Sequence, residues 1–235
     1  MNPDLDPHTH RDGARERALL RIQAVSGALF ALFLLVHLVN QMVAVAGPAA
    51  YDALQGELRR AYQAPVVELA LVAAPLLVHV VVSVWRIVRR RRRGRPAPRA
   101  PRARLQRVTA IVLLVFTFGH IVATRGASLV HGVVPGFDGV AYTMVWFIGY
   151  FFPYYLIFSV AGLYHALNGL ALALPRLGLR SAAPARLVPV VTLAGAVALG
   201  LALAAFAGAL NKDIPARAVA SPYAQLLRDQ GLADR

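Results

Sequence analysis

The chain has 235 residues, of which 58% are hydrophobic, and its formal charge is +14. This apolar composition excludes an ordinary soluble domain with a polar surface. The absence of cysteine excludes disulfides, thiolate metal sites, iron–sulfur clusters and covalently attached c-type haem. The basic charge does not indicate nucleic-acid binding, because most of it lies in one segment beside an apolar stretch.

Five apolar stretches follow one another along the chain, each about long enough to cross the roughly 30 Å hydrocarbon core of a membrane. They predict an all-α integral membrane bundle of five transmembrane helices. The predicted spans are residues 20–46, 65–88, 106–124, 141–173 and 187–210. Residues 1–19 then form an N-terminal tail, residues 20–210 the membrane domain, and residues 211–235 a polar C-terminal tail whose composition is compatible with disorder.

The distribution of arginine predicts the orientation of the bundle. Residues 86–107, between the second and third spans, contain eleven arginines and three prolines. Short loops rich in arginine stay on the cytoplasmic side of the membrane, so we expect this loop and the N-terminus to be cytoplasmic and the C-terminus to lie outside. The arginine run either binds anionic lipid or a soluble partner, or does no more than determine the topology.

Four of the seven histidines, His37, His79, His120 and His165, lie inside the predicted spans. An ionisable side chain in hydrocarbon is costly and needs a partner, a metal or a function. With a rise of about 1.5 Å per residue, His37 and His120 belong to an outer layer, and the other two belong to an inner layer. Each layer has one imidazole from each of two helices, which is the arrangement that bis-histidine ligation of haem iron requires.

Two haems b stacked across the membrane therefore follow from the histidine positions. Iron with two imidazole ligands has no vacant position for oxygen or substrate, so the predicted function is electron transfer across the membrane. The alternative is that these histidines only form hydrogen bonds between helices. The remaining histidines lie in polar segments and are expected to be solvated; they are His8, His10 and His131.

Two further side chains are predicted to face the interior at the outer level. Glu68 precedes His79 by eleven residues, about three helical turns, so both should share one face of the second span. A carboxylate there could accept a proton from a quinol, or it could simply lie near the lipid headgroups. Tyr154 precedes His165 by the same spacing and either helps to position a quinone or belongs to an interfacial aromatic belt.

Basic and small residues complete the candidate haem surroundings. Arg125 is the candidate partner for a propionate of the outer haem, and Arg21 or Arg107 for the inner one. Small residues near the histidines either let a flat macrocycle approach the backbone or serve plain helix packing. These small residues are Ser26, Gly27 and Gly169.

The sequences around the four histidines are similar to those of one family. They are RIQAVSGALFALFLLVHLVNQ around His37, VVELALVAAPLLVHVVVSVWRI around His79, LQRVTAIVLLVFTFGHIVATR around His120 and GLYHALNGL around His165. Over nearly all of its spans the chain resembles the di-haem cytochrome b membrane subunit of succinate dehydrogenases and fumarate reductases, of the five-helix type that uses menaquinone. It departs from the pattern at Gln23, where some relatives have histidine, and in the length and charge of the arginine–proline loop.

The resemblance implies a proximal haem near the cytoplasmic side, bound by His79 and His165, and a distal haem bound by His37 and His120. It also implies cytoplasmic flavoprotein and iron–sulfur subunits, the first interconverting succinate and fumarate and the second relaying electrons. This chain would anchor them in the bacterial inner membrane as a multi-pass protein and exchange electrons with menaquinone. The alternatives are a free-standing di-haem cytochrome b reductase and a haem-free structural anchor.

Overall fold

The computed structural model describes residues 7–94, 100–179 and 186–233, with side chains from residue 13 onward. All regular structure in these ranges is helical, as predicted. The α-helices are α1 (Pro7–Met42), α2 (Pro48–Tyr62), α3 (Pro65–Glu68), α4 (Ala74–Arg92), α5 (Pro101–Ile121), α6 (Ala127–His131), α7 (Phe137–Ala173), α8 (Leu187–Phe206), α9 (Ile214–Val219) and α10 (Pro222–Asp229). Two π-helical turns, Leu69–Ala73 and Val122–Gly126, and two 3-10 turns, Val43–Ala46 and Leu174–Leu177, continue the helices that precede them.

Five stretches are long and apolar enough to cross a membrane, which confirms the predicted number of spans. They are Gly13–Ala46, Pro65–Arg92, Pro101–His131, Phe137–Leu177 and Leu187–Phe206, the first to the fifth span. The first four extend beyond the predicted bounds, because a helix continues into polar sequence after its apolar stretch ends. The fifth ends at Phe206, earlier than the predicted residue 210.

The arginine-rich segment is largely helical, although residues 86–107 were predicted to be a loop. The second span continues as helix to Arg92, and the third begins at Pro101. Arginine has a high helix propensity and is favourable at a helix C-terminus, while proline suits the first turn of a helix. The connection therefore shortens to residues 93–100, of which 95–99 lie outside the described residues.

The first and fourth spans form the centre of the bundle. They pack against each other, the second span packs on the first, the third packs on the fourth, and the fifth packs mainly on the fourth. In the most apolar part of the second and third spans only 6% of the residues are buried, against 22% in the first and fifth. The second and third spans thus leave much of their surface to lipid or to a bound apolar group.

The larger cluster of buried hydrophobic side chains among the described residues lies at the end of the bundle remote from the arginine-rich segment, here called the distal end. Three fully buried rings meet there: the centroid of Phe206 lies 5.3 Å from Tyr51 and 4.6 Å from Phe137. Such ring pairs stabilise a core beyond the area they bury. Asp52 joins α2 to the start of the fourth span, because its Oδ1 accepts the Phe137 N–H at 2.8 Å.

The C-terminal segment is ordered as far as it is described, contrary to the disorder with which its composition is compatible. Helices α9 and α10 pack against the beginning of α7. Arg217 forms a 3.1 Å ion pair with Asp138, and the Tyr223 hydroxyl donates to the Ala123 carbonyl at 3.2 Å. Helices α9 and α10 together are called the C-terminal cap. Apolar side chains of this cap, including Ile214 and Ala218, are buried in the distal core. The segment is polar on average but amphipathic, which its composition does not indicate.

Candidate functional site

The four membrane histidines come together as two pairs. The ring centroids of His37 and His120 are 6.0 Å apart, with the ring planes at 71°. Those of His79 and His165 are 6.3 Å apart, at 87°. These are the pairings that the depth of each histidine predicted. The His79–His165 pair lies toward the arginine-rich end and is called the proximal pair; His37 and His120 form the distal pair.

The two pairs lie at different levels along the bundle axis. The backbone carbonyl of Gln23, on the first span, is 3.2 Å from the Nδ1 atom of His79 and so marks the proximal level. His37 follows Gln23 by fourteen residues, which corresponds to about 20 Å along a helix. Each pair links two spans that do not follow one another in the chain: the first with the third, and the second with the fourth.

The spacing of each pair fits a metal ion held between two imidazoles. With metal–nitrogen bonds of about 2.0–2.1 Å, two imidazoles on opposite sides of one ion have ring centroids about 6 Å apart. All four histidines are only partly buried. Two imidazoles are a donor set that would hold the iron of a b-type haem, and the residues of each pair therefore fit that group.

The proximal pair is surrounded by hydrogen-bonding groups. The Nδ1 atom of His79 faces the Gln23 carbonyl, and that of His165 lies 3.2 Å from Thr109 Oγ1 and 3.1 Å from Gln106 Nε2. Histidines that bind metal through one ring nitrogen usually donate the other N–H to such an oxygen. With Nδ1 engaged in this way, the ε nitrogens of both rings are left for a metal.

The distal pair is surrounded by aromatic rings. Phe33 stacks on His37 with 5.9 Å between centroids, and Phe158 meets His120 edge-on at 5.3 Å. Phe158 also contacts Tyr154, at 5.9 Å. Tyr154 thus lies inside the bundle near the distal pair, as its spacing from His165 predicted, within an aromatic cluster.

Gly27 leaves space for the imidazole ring of His79, a member of the proximal pair. A Cβ atom at this position would lie 2.6 Å from the Nδ1 atom of His79, which is too close for any side chain. The other small residues named from the sequence have different surroundings. Ser26 is buried and donates to the Ile22 carbonyl of its own helix at 2.8 Å, while a Cβ at Gly169 would face Gln106 at 3.5 Å.

Glu68 and Arg125 form an ion pair with each other. The Nε and Nη2 atoms of Arg125 donate to the two carboxylate oxygens of Glu68 at 2.7 Å and 2.6 Å, which is a two-bond arrangement. The pair links the second and third spans and lies close to Tyr62. Tyr62 packs edge-on against Phe33 at 5.2 Å, and Phe33 in turn stacks on His37. The ion pair therefore belongs to the surroundings of the distal pair.

Both members of this ion pair lie at π-helical turns. Glu68 immediately precedes Leu69–Ala73, and Arg125 lies within Val122–Gly126. A π turn contains an extra residue, so the step of eleven residues from Glu68 to His79 does not correspond to whole α-helical turns. The face that Glu68 shares with His79 stays a prediction, and the observed partner of the carboxylate is Arg125.

Sequence reasoning missed several polar residues near the proximal pair. Gln106 and Thr109 lie three residues apart on the third span, and Asn168 follows His165 by three on the fourth, so each pair shares a helix face. Polar residues at helical spacing within an apolar stretch are the signal that would have found them. At the arginine-rich end, Gln23 bonds to Ser83 at 2.7 Å and to Arg86.

The remaining sequence candidates lie elsewhere. His131 is 2.8 Å from the Nε2 atom of Gln230 in the C-terminal cap, and Arg21 is exposed. The side chains of His8 and His10 lie outside the described residues. Comparisons of the chain with protein-family models, curated proteins and solved structures found no match.

Proposed function

We propose that the chain is a di-haem cytochrome b that anchors a succinate:menaquinone or quinol:fumarate oxidoreductase in the membrane. The observation that supports this most is the presence of two histidine pairs, at 6.0 Å and 6.3 Å, at two levels of one membrane bundle. His37 and His120 would hold one haem b, and His79 and His165 the other. A haem bound by two imidazoles supplies reversible one-electron chemistry.

The proximal end would face the partner subunits. The positive-inside rule assigns the arginine-rich end to the cytoplasm of a bacterium, so the proximal pair is the one nearer a cytoplasmic iron–sulfur subunit. Arg86 and Arg89 at this end both contact Glu16, at 2.9 Å and 3.9 Å, which ties the start of the first span to the end of the second. The flavoprotein subunit would carry the succinate chemistry.

The distal end would exchange electrons and protons with menaquinone. Glu68 is the candidate acceptor of the quinol proton, since its carboxylate lies on a membrane-spanning helix beside the surroundings of the distal pair. Arg125 holds that carboxylate in a defined position through two hydrogen bonds. Arg125 is also the candidate cation for a propionate of the distal haem, so the two roles share one guanidinium.

The first test is the haem content of the detergent-extracted protein, co-expressed with the products of neighbouring genes. We expect two haems b per chain, a reduced-minus-oxidised spectrum of b type, and co-purifying flavin and iron–sulfur subunits. Two haems without those subunits would favour a free-standing cytochrome b reductase. Well-folded protein without haem would refute the proposal and leave a structural anchor.

A further inference from the structure

A chain of hydrogen bonds connects the arginine-rich end of the bundle to the proximal histidine of the fourth span. The Nε and Nη2 atoms of Arg102 donate to the Oδ1 atom of Asn168 at 3.1 Å and 2.5 Å. The Nδ2 atom of Asn168 donates to the Oε1 atom of Gln106 at 2.7 Å. The Nε2 atom of Gln106 then reaches both the carbonyl oxygen and the Nδ1 atom of His165, at 3.2 Å and 3.1 Å.

Arg102 determines which atom donates and which accepts in each hydrogen bond of this series. A guanidinium can only donate, so the atom of Asn168 that it contacts must be the amide oxygen. The amide nitrogen of Asn168 is then the donor to Gln106, whose own nitrogen must point toward His165. Asn168 is fully buried, at 0% exposure, and both ends of its amide are bonded. The orientation of two amides in the membrane thus follows from one charged residue.

Thr109 completes the surroundings of the same ring nitrogen. Its hydroxyl donates to the Leu105 carbonyl at 3.0 Å and has a lone pair free to accept the Nδ1–H of His165 at 3.2 Å. When Nε2 of His165 binds a metal, Nδ1 carries the proton and needs an acceptor. Gln106 presents a donor there, so only Thr109 can accept, and the Gln106 amide is left to the His165 carbonyl.

We propose that Arg102, Asn168 and Gln106 form a positioning network that tunes the proximal haem through His165, and that Thr109 opposes them. This inference rests on the proposed function. The network ends with the Gln106 amide donating to the His165 carbonyl and places the positive charge of Arg102 behind it, which would disfavour the more positive oxidised state of a haem held by His165. Thr109 accepts the Nδ1–H, makes the imidazole more basic and favours the oxidised iron.

The distal pair provides an internal reference for this effect. Within the described ranges neither His37 nor His120 has a hydrogen-bond partner for its ring nitrogens; aromatic side chains surround them instead. Changes in the network should therefore alter the midpoint potential of the proximal haem and leave that of the distal haem in place.

The test is a spectroscopic redox titration of both haems in the intact complex. Arg102→Ala should lower the midpoint potential of the proximal haem. The expected change is on the order of tenfold in the equilibrium constant for reduction, which is about 59 mV for one electron. Arg104→Ala is the matched control, because Arg104 is also exposed and carries the same charge on the same helix without joining the network. Thr109→Val should raise the proximal potential, and Thr109→Ser, which keeps the acceptor, should restore it.

The outcomes separate this inference from the proposed function. Two haems with an unmoved proximal potential in Arg102→Ala would overturn the network but leave the cytochrome proposal standing. Equal shifts in Arg102→Ala and Arg104→Ala would also overturn it, since they would reflect only the charge of the membrane surface. Absence of haem from the well-folded wild-type chain would remove both proposals. If Thr109→Val fails to assemble, the comparison of Arg102→Ala with Arg104→Ala still tests the network.

Discussion

The two histidine pairs have nearly the same spacing but different surroundings. The proximal rings face a carbonyl, a hydroxyl and an amide, and an arginine lies at the end of their hydrogen-bond network. The distal rings face Phe33 and Phe158, and Glu68 and Arg125 in their surroundings form an ion pair with each other. The same pair of side chains, two imidazoles, thus lies in a polar environment at the proximal level and in an apolar environment at the distal level. Hydrogen bonding and nearby charge alter haem potentials, so haems held by the two pairs, as we propose, would differ in midpoint potential.

Removing a histidine is the largest change and tests whether the pairs are independent. His79→Ala or His165→Ala should remove the proximal haem and leave the distal one, since each pair joins a different set of helices. His37→Ala or His120→Ala should do the reverse. Pyridine haemochrome assays should give about half the wild-type haem in each variant. Equal loss of both haems from all four variants would show that the pairs are not independent.

Glu68→Gln tests whether the distal end handles protons. We expect both haems to remain and quinone turnover to fall by about 10²–10⁴, the range typical of a lost proton acceptor. Arg125→Gln breaks the same ion pair and keeps the carboxylate, and it serves as the control once its distal haem content is shown to match wild type, because Arg125 is also the candidate propionate partner. If the two variants slow turnover equally, the ion pair matters only for structure; unchanged turnover in Glu68→Gln would count against its proton role.

A matched pair of glycine substitutions compares the space beside each histidine pair. Gly27→Ala should displace His79 and weaken proximal haem binding by about 1–3 kcal/mol, because the new Cβ would lie 2.6 Å from the ring. Gly119→Ala, next to His120, meets no atom within 4 Å and should leave both haems bound. The ratio of the two haems after size-exclusion chromatography measures the difference. Retention of the proximal haem in Gly27→Ala would show that His79 can move at little cost.

Tyr223→Phe should have the smallest effect and is confined to the distal end. The variant loses the hydrogen bond to the Ala123 carbonyl, just beyond His120, at a cost of about 0.5–1.5 kcal/mol. Thermal release of the distal haem should begin at a lower temperature, and release of the proximal haem should not change. Tyr150→Phe is the control, since Tyr150 is 51% exposed. Identical release curves for Tyr223→Phe and wild type would show that the C-terminal cap does not support the distal pair.

The periodicity and position of a few residues were enough to predict the helical class, the number of spans and both histidine pairings. Hydrophobic length sets the number of crossings, and a helix converts sequence position directly into depth, so His37 could be matched with His120 before any contact was known. The same conversion put Glu68 at the outer level, but the apolar sequence Leu69–Ala73 gave no sign of the π turn that follows this residue.

Other features depended on contacts between distant parts of the chain. The partner of Arg125 is Glu68, 57 residues earlier, and the orientation of the Gln106 amide depends on Asn168 and Arg102. The order of the C-terminal segment comes from its burial on the beginning of the fourth span. The sequence by itself determined which residues cross the membrane and at what depth, because those properties follow from local hydrophobicity and helical rise. Only the tertiary structure decided which polar groups meet, because each bond requires a second helix to bring its partner within about 3 Å.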